Sequence, residues 1–380
     1  MRLRLVAAIS VVALSFQCGT DAEPVEPSPG EPSESDWGGA GGESGAPSDA
    51  GAPNEAGSGG ASEGGAGPSS FIDRDLEGPL PARLSELGLY PQPKVRDRVH
   101  ARAVYYEPRY PLWSNGSAKQ RFMVLPRGSS VDTSSSSWVF PEGTTFFKTF
   151  SYPAGGSERA IETRVIRRRS DAYEFAVYRW NEAQNDADLL DGKASVRVSV
   201  EVDGDRFDHE IPSTLQCRSC HESQDARIIG FDALRLNHPL EGVSETQLEA
   251  LHDRGVLSEL PDAAPAVEAE DPTTREVLGY LQGNCAHCHN GSDGPSSAFD
   301  LRYPVALENL IGVETTSELF GGLRVSPGDP EGSALYRGIA ADVEDGDAQP
   351  MPPVGVQRVD PGAVSLFYDW ILALEPRSRP

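Results

Sequence analysis

The chain has 380 residues, 33 Lys+Arg against 58 Asp+Glu, a formal net charge of −25 and a pI near 4.6. That balance excludes nucleic acid as a partner, because a phosphate backbone needs a basic face to release its counterions. The length allows two or three domains at roughly 100–200 residues each, and a 38% hydrophobic share is enough to build cores.

The start reads as an export signal, residues 1–17. "MRLR" is a short basic region, and "LVAAISVVALSF" is an apolar run of 12, too short to span a bilayer comfortably. Cys18 follows in the layout of a bacterial lipoprotein, where it becomes the lipidated first residue. Phe16 and Gln17 stand where small residues are usual, so an ordinary secretory signal with an incidental cysteine stays open. The expected location is the periplasm or cell envelope, with an outer-membrane lipoprotein included. A tether through Cys18 and no transmembrane helix in the mature chain are expected. From Gly19 to Ser70 there are ten acids and no lysine or arginine, and Gly, Ser, Pro and Ala dominate. Such a segment cannot bury enough surface to offset its ordering entropy, so residues 18–70 read as a flexible linker.

Residues 71–211 change character. "WVFPEGTTFFKTF", "ETRVIRRR-SD-AYEFAVYRW" and "VRVSVEV-DGD" alternate in the strand manner and are rich in Val, Tyr, Phe and Thr. A hairpin is expected with its turn at Ser170 and Asp171, and an Asp-Gly turn follows the last run. The expectation is an antiparallel β-sandwich. Arg164, Arg167, Arg168 and Arg169 suggest an anion site, but a solvated strand face is the weightier reading in an acidic chain.

Beyond the strands, "LQCRSCHES" carries Cys217, Cys220 and His221, and residues 212–257 form a first attachment segment. Ser244 and Gln247 have capping-box spacing ahead of Leu248 and Leu251. An acidic, proline-containing linker covers 258–271. Asp271 then caps and Pro272 opens a helix with Val277, Leu278 and Leu281 on its apolar side. "LQGNCAHCHNGS" follows with Cys285, Cys288 and His289, 68 residues after the first motif. A last helix is capped by Asp360 and opened by Pro361, with Val364, Phe367 and Ile371 on one face.

Cys-x-x-Cys-His is the attachment motif for haem c. Each thiol adds to a haem vinyl group, and the adjacent histidine ligates the iron. Zinc competes, since two Cys-x-x-Cys pairs supply four thiolates, but a zinc site does not require the histidine after each pair. A disulfide across two residues closes a very small loop and stabilises little. Two such motifs in one exported chain therefore predict two covalently attached haem c groups. Met351, in "QPMPP" and 62 residues after His289, is the expected sixth ligand of the second haem. For the first haem the candidates are His238 and His209, then His252, His100 and Met123, and an open position is the remaining choice. His287 reads as a spacer.

Residues 272–380, with "CAHCH", "PGDPEGSALYRG", "MPP" and a terminal helix carrying Phe367, Tyr368 and Trp370, resemble a class I cytochrome c domain. That resemblance implies an all-α fold whose first and last helices cross, with His289 and Met351 axial to the iron. "YPLWSNGSAKQRFMVLPRG", "YRWNEAQNDADLL", "IPSTLQCRSCH" and "IIGFDALRLNHP" resemble a family of bacterial di-haem c-type cytochromes of unknown physiological role. The whole then reads as an α+β multidomain chain: a β-sandwich-like domain, a small haem-binding segment and a cytochrome c domain. The implied function is electron transfer to or from an unidentified redox partner protein. The alternatives are a di-haem enzyme such as a peroxidase, and a surface glycan-binding module using Trp113 or Trp138.

Overall fold

The structure, a computed structural model, describes residues 69–202, 204–223, 227–263, 265–292, 299–316, 320–341 and 350–375. The expected signal, Cys18 and nearly all of the acidic linker lie outside the described residues.

Six strands form one antiparallel sheet in simple sequence order: β1 (Val104–Tyr105), β2 (Ala118–Val124), β3 (Thr145–Ala154), β4 (Ser157–Arg169), β5 (Ala172–Trp180) and β6 (Ala187–Leu189). Ser170, at φ 46°, turns β4 into β5 where the hairpin was expected. A separate hairpin, β7 (Val196–Val202) with β8 (Asp205–Ile211), makes a second, two-stranded sheet.

Both faces of the large sheet are covered, which explains why "TFFKTF" and "ETRV" do not alternate cleanly between apolar and polar. On one face Phe122, Val124, Phe147, Val165 and Trp180 pack beneath Phe71, Ile72, Leu89, Tyr90 and helix α1 (Leu84–Leu87). Each fully buried Phe or Leu of this kind contributes ~1.5–3 kcal/mol relative to exposure.

The opposite face is covered in two patches. Met123 and Phe146 pack against Ile228, Phe231, Leu236, Leu248, Leu251 and Leu257. Further along, Tyr152, Ile161 and Val177 pack against Val198, Val200 and Ile211 of the β7–β8 hairpin. A bulge at Phe150/Ser151 leaves Ile161 as the extra residue on β4, a device that bends a strand and re-aims its side chains. The layers are thus unequal: six strands against two, with helical chain completing the cover.

Residues 212–257 contribute α2 (Thr214–His221), α3 (Ala233–Leu236) and α4 (Gln247–Asp253). Their apolar side chains share the sheet's own core. The capping box of α4 is Thr246 with Glu249, two residues beyond the expected Ser244 and Gln247. The reason is that the Gln247 side chain is buried and engaged with the backbone N–H and carbonyl of Glu107.

The C-terminal part carries α5 (Pro272–Asn284), α6 (Ala306–Leu310), α7 (Ala334–Ala340) and α8 (Pro361–Ala373). Asp271 and Asp360 cap α5 and α8 as expected. The two long helices pack together: Tyr280 meets Phe367 at 5.6 Å between ring centroids, and Trp370 Nε1 donates to Thr274 Oγ1 at 3.1 Å. Val277, Leu278, Leu281, Phe367 and Ile371 close this core. The molecule is therefore a mixed α+β protein, its antiparallel sheet in the N-terminal half and most helical residues in the C-terminal part. No described helix is long and apolar enough to cross a membrane.

The loop 109–117 ties the two parts. Trp113 N–H donates to Asn284 Oδ1 at 2.6 Å and its indole donates to the Arg358 carbonyl at 2.8 Å. Asn115 Oδ1 accepts from Gln357 N and Arg358 N, at 2.7 and 3.0 Å. Tyr110 lies so close to α5 that a Cβ at Gly279 would strike its ring, and one at Gly283 would sit 2.6 Å from its carbonyl oxygen.

Candidate functional site

Helix α2 starts at Ser213, whose hydroxyl accepts from Gln216 N while Gln216 returns a bond to Ser213 N. The cap aims α2 over the sheet, so that Cys217, Cys220 and His221 face a cavity of about 300 Å³. This lies at the lower end of the roughly 300–1,000 Å³ usual for small-molecule and cofactor sites. Phe146, Ile166 and Phe175 of the sheet line it, with Tyr106, Ile228 and Ile229; Pro352–Val356 and Cys288 come from the C-terminal part. A larger, more open groove of about 560 Å³ runs beside α5 and the start of α8, but no thiol or imidazole lines it.

The His221 ring is fixed through one nitrogen. Its Nδ1 lies 2.7 Å from the Arg227 carbonyl oxygen, which can only accept, so Nδ1 carries the proton and Nε2 is left toward the cavity. Burial, only partly offset by that bond, lowers its pKa to about 4, so the ring is neutral. Phe175 packs at 5.5 Å between centroids and fixes the ring plane. A neutral histidine, oriented through its other nitrogen by a carbonyl, is how ligating histidines are normally set.

The second motif is placed differently. Cys285 packs into the C-terminal core, and burial raises its pKa to about 12. His289 stacks on Phe299, 4.6 Å between centroids and 26° between planes, with Arg324 on the same ring. Met351 and Phe320 both lie close to Gly338, and Met351 lines a small space of about 10 Å³ with Trp113, Tyr280 and Ile339. Neither Cys285, His289 nor Met351 lines the 300 Å³ cavity.

The two motifs meet at Cys220 and Cys288, whose sulfurs are 4.0 Å apart. With His287 they form a cluster whose ligand atoms lie within 4.8 Å of one another. The Ser223 hydroxyl reaches the carbonyls of Cys220 and His287 at 2.8 and 2.7 Å, and Asn290 Nδ2 donates to the Ser223 carbonyl at 2.9 Å. The hydrogen bond from Cys288, outweighing burial, lowers the Cys220 pKa, and Cys288 as donor is raised. His287, expected as a spacer, is 4% exposed and part of this cluster. Spacing within either motif carries no signal of the meeting, which arises only because residues 212–257 fold back beside α5.

The expected sixth ligands of the first site are engaged elsewhere. His209 donates through Nε2 to Glu162 and accepts from Tyr152 at Nδ1, both at 2.9 Å, and it is 1% exposed. Glu162 in turn grips Arg164 with two bonds, at 2.9 and 2.6 Å. Burial alone would raise the Glu162 carboxyl, but Arg164 and His209 outweigh it and hold the pKa at about 2. His209 therefore braces the sheet and has no lone pair to offer iron. His238 donates through Nδ1 to the Pro239 carbonyl and accepts at Nε2 from the Gln247 amide, at 2.9 Å each. His100 pairs with Asp73, His252 with Asp253, and Met123 is buried in the core beneath the sheet. None of these five lines the cavity.

The same cavity is also lined by three cations not expected there from sequence: Arg121, Lys148 and Arg164. Arg164 had been read mainly as part of a solvated strand face, but its side chain is largely buried. No known protein family, curated protein or solved structure matches this chain. The chemistry of the site therefore stands on its own residues.

Proposed function

We propose that the chain is an exported di-haem c-type cytochrome that passes electrons to or from a redox partner protein. The class follows from the attachment motifs; the particular assignment, the di-haem family named above with its C-terminal cytochrome c domain, follows from the sequence resemblance. The observation that carries the reading is His221, neutral and pinned through Nδ1, on one cavity with Cys217 and Cys220. Cys217 and Cys220 would hold the first haem and His221 its iron. Cys285, Cys288, His289 and Met351 would serve the second. Bound haem would supply a one-electron carrier. The chain's own part is to orient His221, to exclude water with Phe146, Ile166 and Phe175, and to tie the two motifs through Ser223 and Asn290. The net charge of −25 suits a basic partner, and Cys18 would tether the protein to the envelope.

Protein made with haem-attachment machinery should carry two covalent haems by mass and by absorbance. A product with none overturns the reading. Met351→Ala should lower the potential of one haem only, and an unchanged potential removes Met351 as a ligand. Peroxide turnover by the reduced protein would move the assignment from carrier to peroxidase. For the glycan reading, Trp113 donates its indole N–H to the Arg358 carbonyl and Trp138 meets Phe231 at 5.8 Å, and both rings are half-buried.

A second reading is favoured by the cluster of Cys220, His287 and Cys288. Two thiols and an imidazole are a zinc donor set lacking one ligand. Stoichiometric zinc in protein made without haem-attachment machinery, with no haem accepted when that machinery is present, would select it.

A further inference from the structure

The cavity wall opposite α2 contains an arrangement that works against the stability of the sheet. Arg121 on β2 is directly opposite Lys148 on β3, and Lys148 is directly opposite Arg164 on β4. Like charges on directly opposed strand positions destabilise a sheet, and here Arg121 is buried and Lys148 and Arg164 are half-buried. The next row along the same face is apolar: Met123, Phe146, Ile166 and Phe175.

The cations are not equally matched. Arg164 is gripped by Glu162, and Arg235, also on the cavity, by Asp232 and the Gln282 carbonyl. Arg121 is 6% exposed, and among the described residues its guanidinium makes no hydrogen bond or ion pair. Lys148 meets the Phe150 ring at 4.7 Å and feels the charge of Glu162, but among the described residues it makes no ion pair. Glu107 is the nearest acid acting on Arg121, without pairing with it. No Asp or Glu lines the cavity. Burial, then the charges of Arg121, Lys119 and Arg164, hold the Lys148 pKa well below the ordinary lysine range. In a chain of net charge −25, a buried Arg121 and a half-buried Lys148, both unmatched on one cavity, ask for an anion. Buried charge is stable only when paired.

We propose that Arg121 and Lys148 form a carboxylate-binding pair that receives the propionate groups of the haem attached at Cys217 and Cys220. This rests on the haem reading above. Arg121 supplies the planar, permanently charged fork and Lys148 a movable point charge. Arg164 also lines the cavity, but Glu162 already pairs with it through two bonds, so Arg121 and Lys148 are the free pair.

The test uses the mature, haem-loaded full chain. Paired cations favour the ionised carboxylate and so lower its pKa. The midpoint potential is titrated against pH in the parent, Arg121→Gln, Lys148→Gln and Arg121→Lys. In the two Gln variants the pH at which the potential becomes proton-linked should move up by about one unit, a tenfold rise in propionate proton affinity. Arg121→Lys should restore most of the parent profile, which a merely structural role would not do. Unchanged profiles in variants that carry both haems overturn the proposal and leave the haem reading standing. A change of iron spin state in Lys148→Gln without the pH shift would place the amine on the iron, and also overturns it. Absence of haem by mass removes the haem reading itself, and the proposal with it.

Discussion

The two Cys-x-x-Cys-His motifs are near copies in sequence and unlike in structure. The first sits on a short helix of which no residue is fully buried, yet it faces a 300 Å³ cavity because the sheet supplies the other wall. The second follows a well-capped 13-residue helix inside a tight helical core, and the space beside its expected methionine is about 10 Å³. Motif chemistry and motif housing are therefore separate properties. Attachment needs only three residues within a five-residue motif, whereas the cavity needs side chains from distant strands, from Arg121 on β2 to Phe175 on β5.

The sharpest way to break the comparison is to remove one motif at a time. Cys217→Ser/Cys220→Ser and Cys285→Ser/Cys288→Ser should each lose one haem of the two, read by mass. Loss of both from either change would show that the motifs load as a unit, consistent with the 4.0 Å approach of Cys220 and Cys288.

Next in size is Glu162→Gln. It leaves Arg164 buried without its counter-ion, and breaking a buried pair costs ~3–5 kcal/mol, measurable by urea unfolding at neutral pH. The Glu162 pKa, about 2, lies below its ordinary value. Its contribution is therefore full above the ordinary carboxylate range and is lost as pH falls through about 2. Parent and variant stabilities should converge on acidification, and a constant gap would separate the loss from the ionised pair.

A smaller effect is expected from Gly279→Ala. The added methyl meets Tyr110, and overpacking of this kind costs ~1–3 kcal/mol, against a helix-propensity gain of ~1 kcal/mol. A net loss of stability would locate the join between the sheet and α5 at Tyr110; a net gain would show that Tyr110 yields.

The smallest change tests the clamp. Asn115→Ala removes acceptors from Gln357 N and Arg358 N, worth ~1–3 kcal/mol in total if the donors stay dry. Hydrogen exchange at those two amides should quicken while amides in β3 and β4 stay protected. General loosening would show that the clamp stabilises the whole unit.

Much was legible in advance because its cause is local. The β4–β5 turn, the Asp caps of α5 and α8 and the strand-rich first half depend on neighbouring residues, and all occur where the pattern put them. The α4 cap was misplaced because Gln247, a good local partner for Ser244, is taken by Glu107, 140 residues distant. The histidines show the same limit. His209 and His238 stand at plausible distances along the chain from the first motif, but only the packing discloses that both nitrogens of each are engaged.

The sequence by itself determined the two Cys-x-x-Cys-His motifs, the acidic charge, the capped helices and the strand-forming half, because each follows from residue type and short spacing. Tertiary structure alone decided that the first motif has a cavity, that Cys220 and Cys288 nearly touch, and that Arg121, Lys148 and Arg164 stand in one row. Those facts arise from strand register and from chain folded back across the sheet. Both depend on long-range burial rather than on any signal between neighbours.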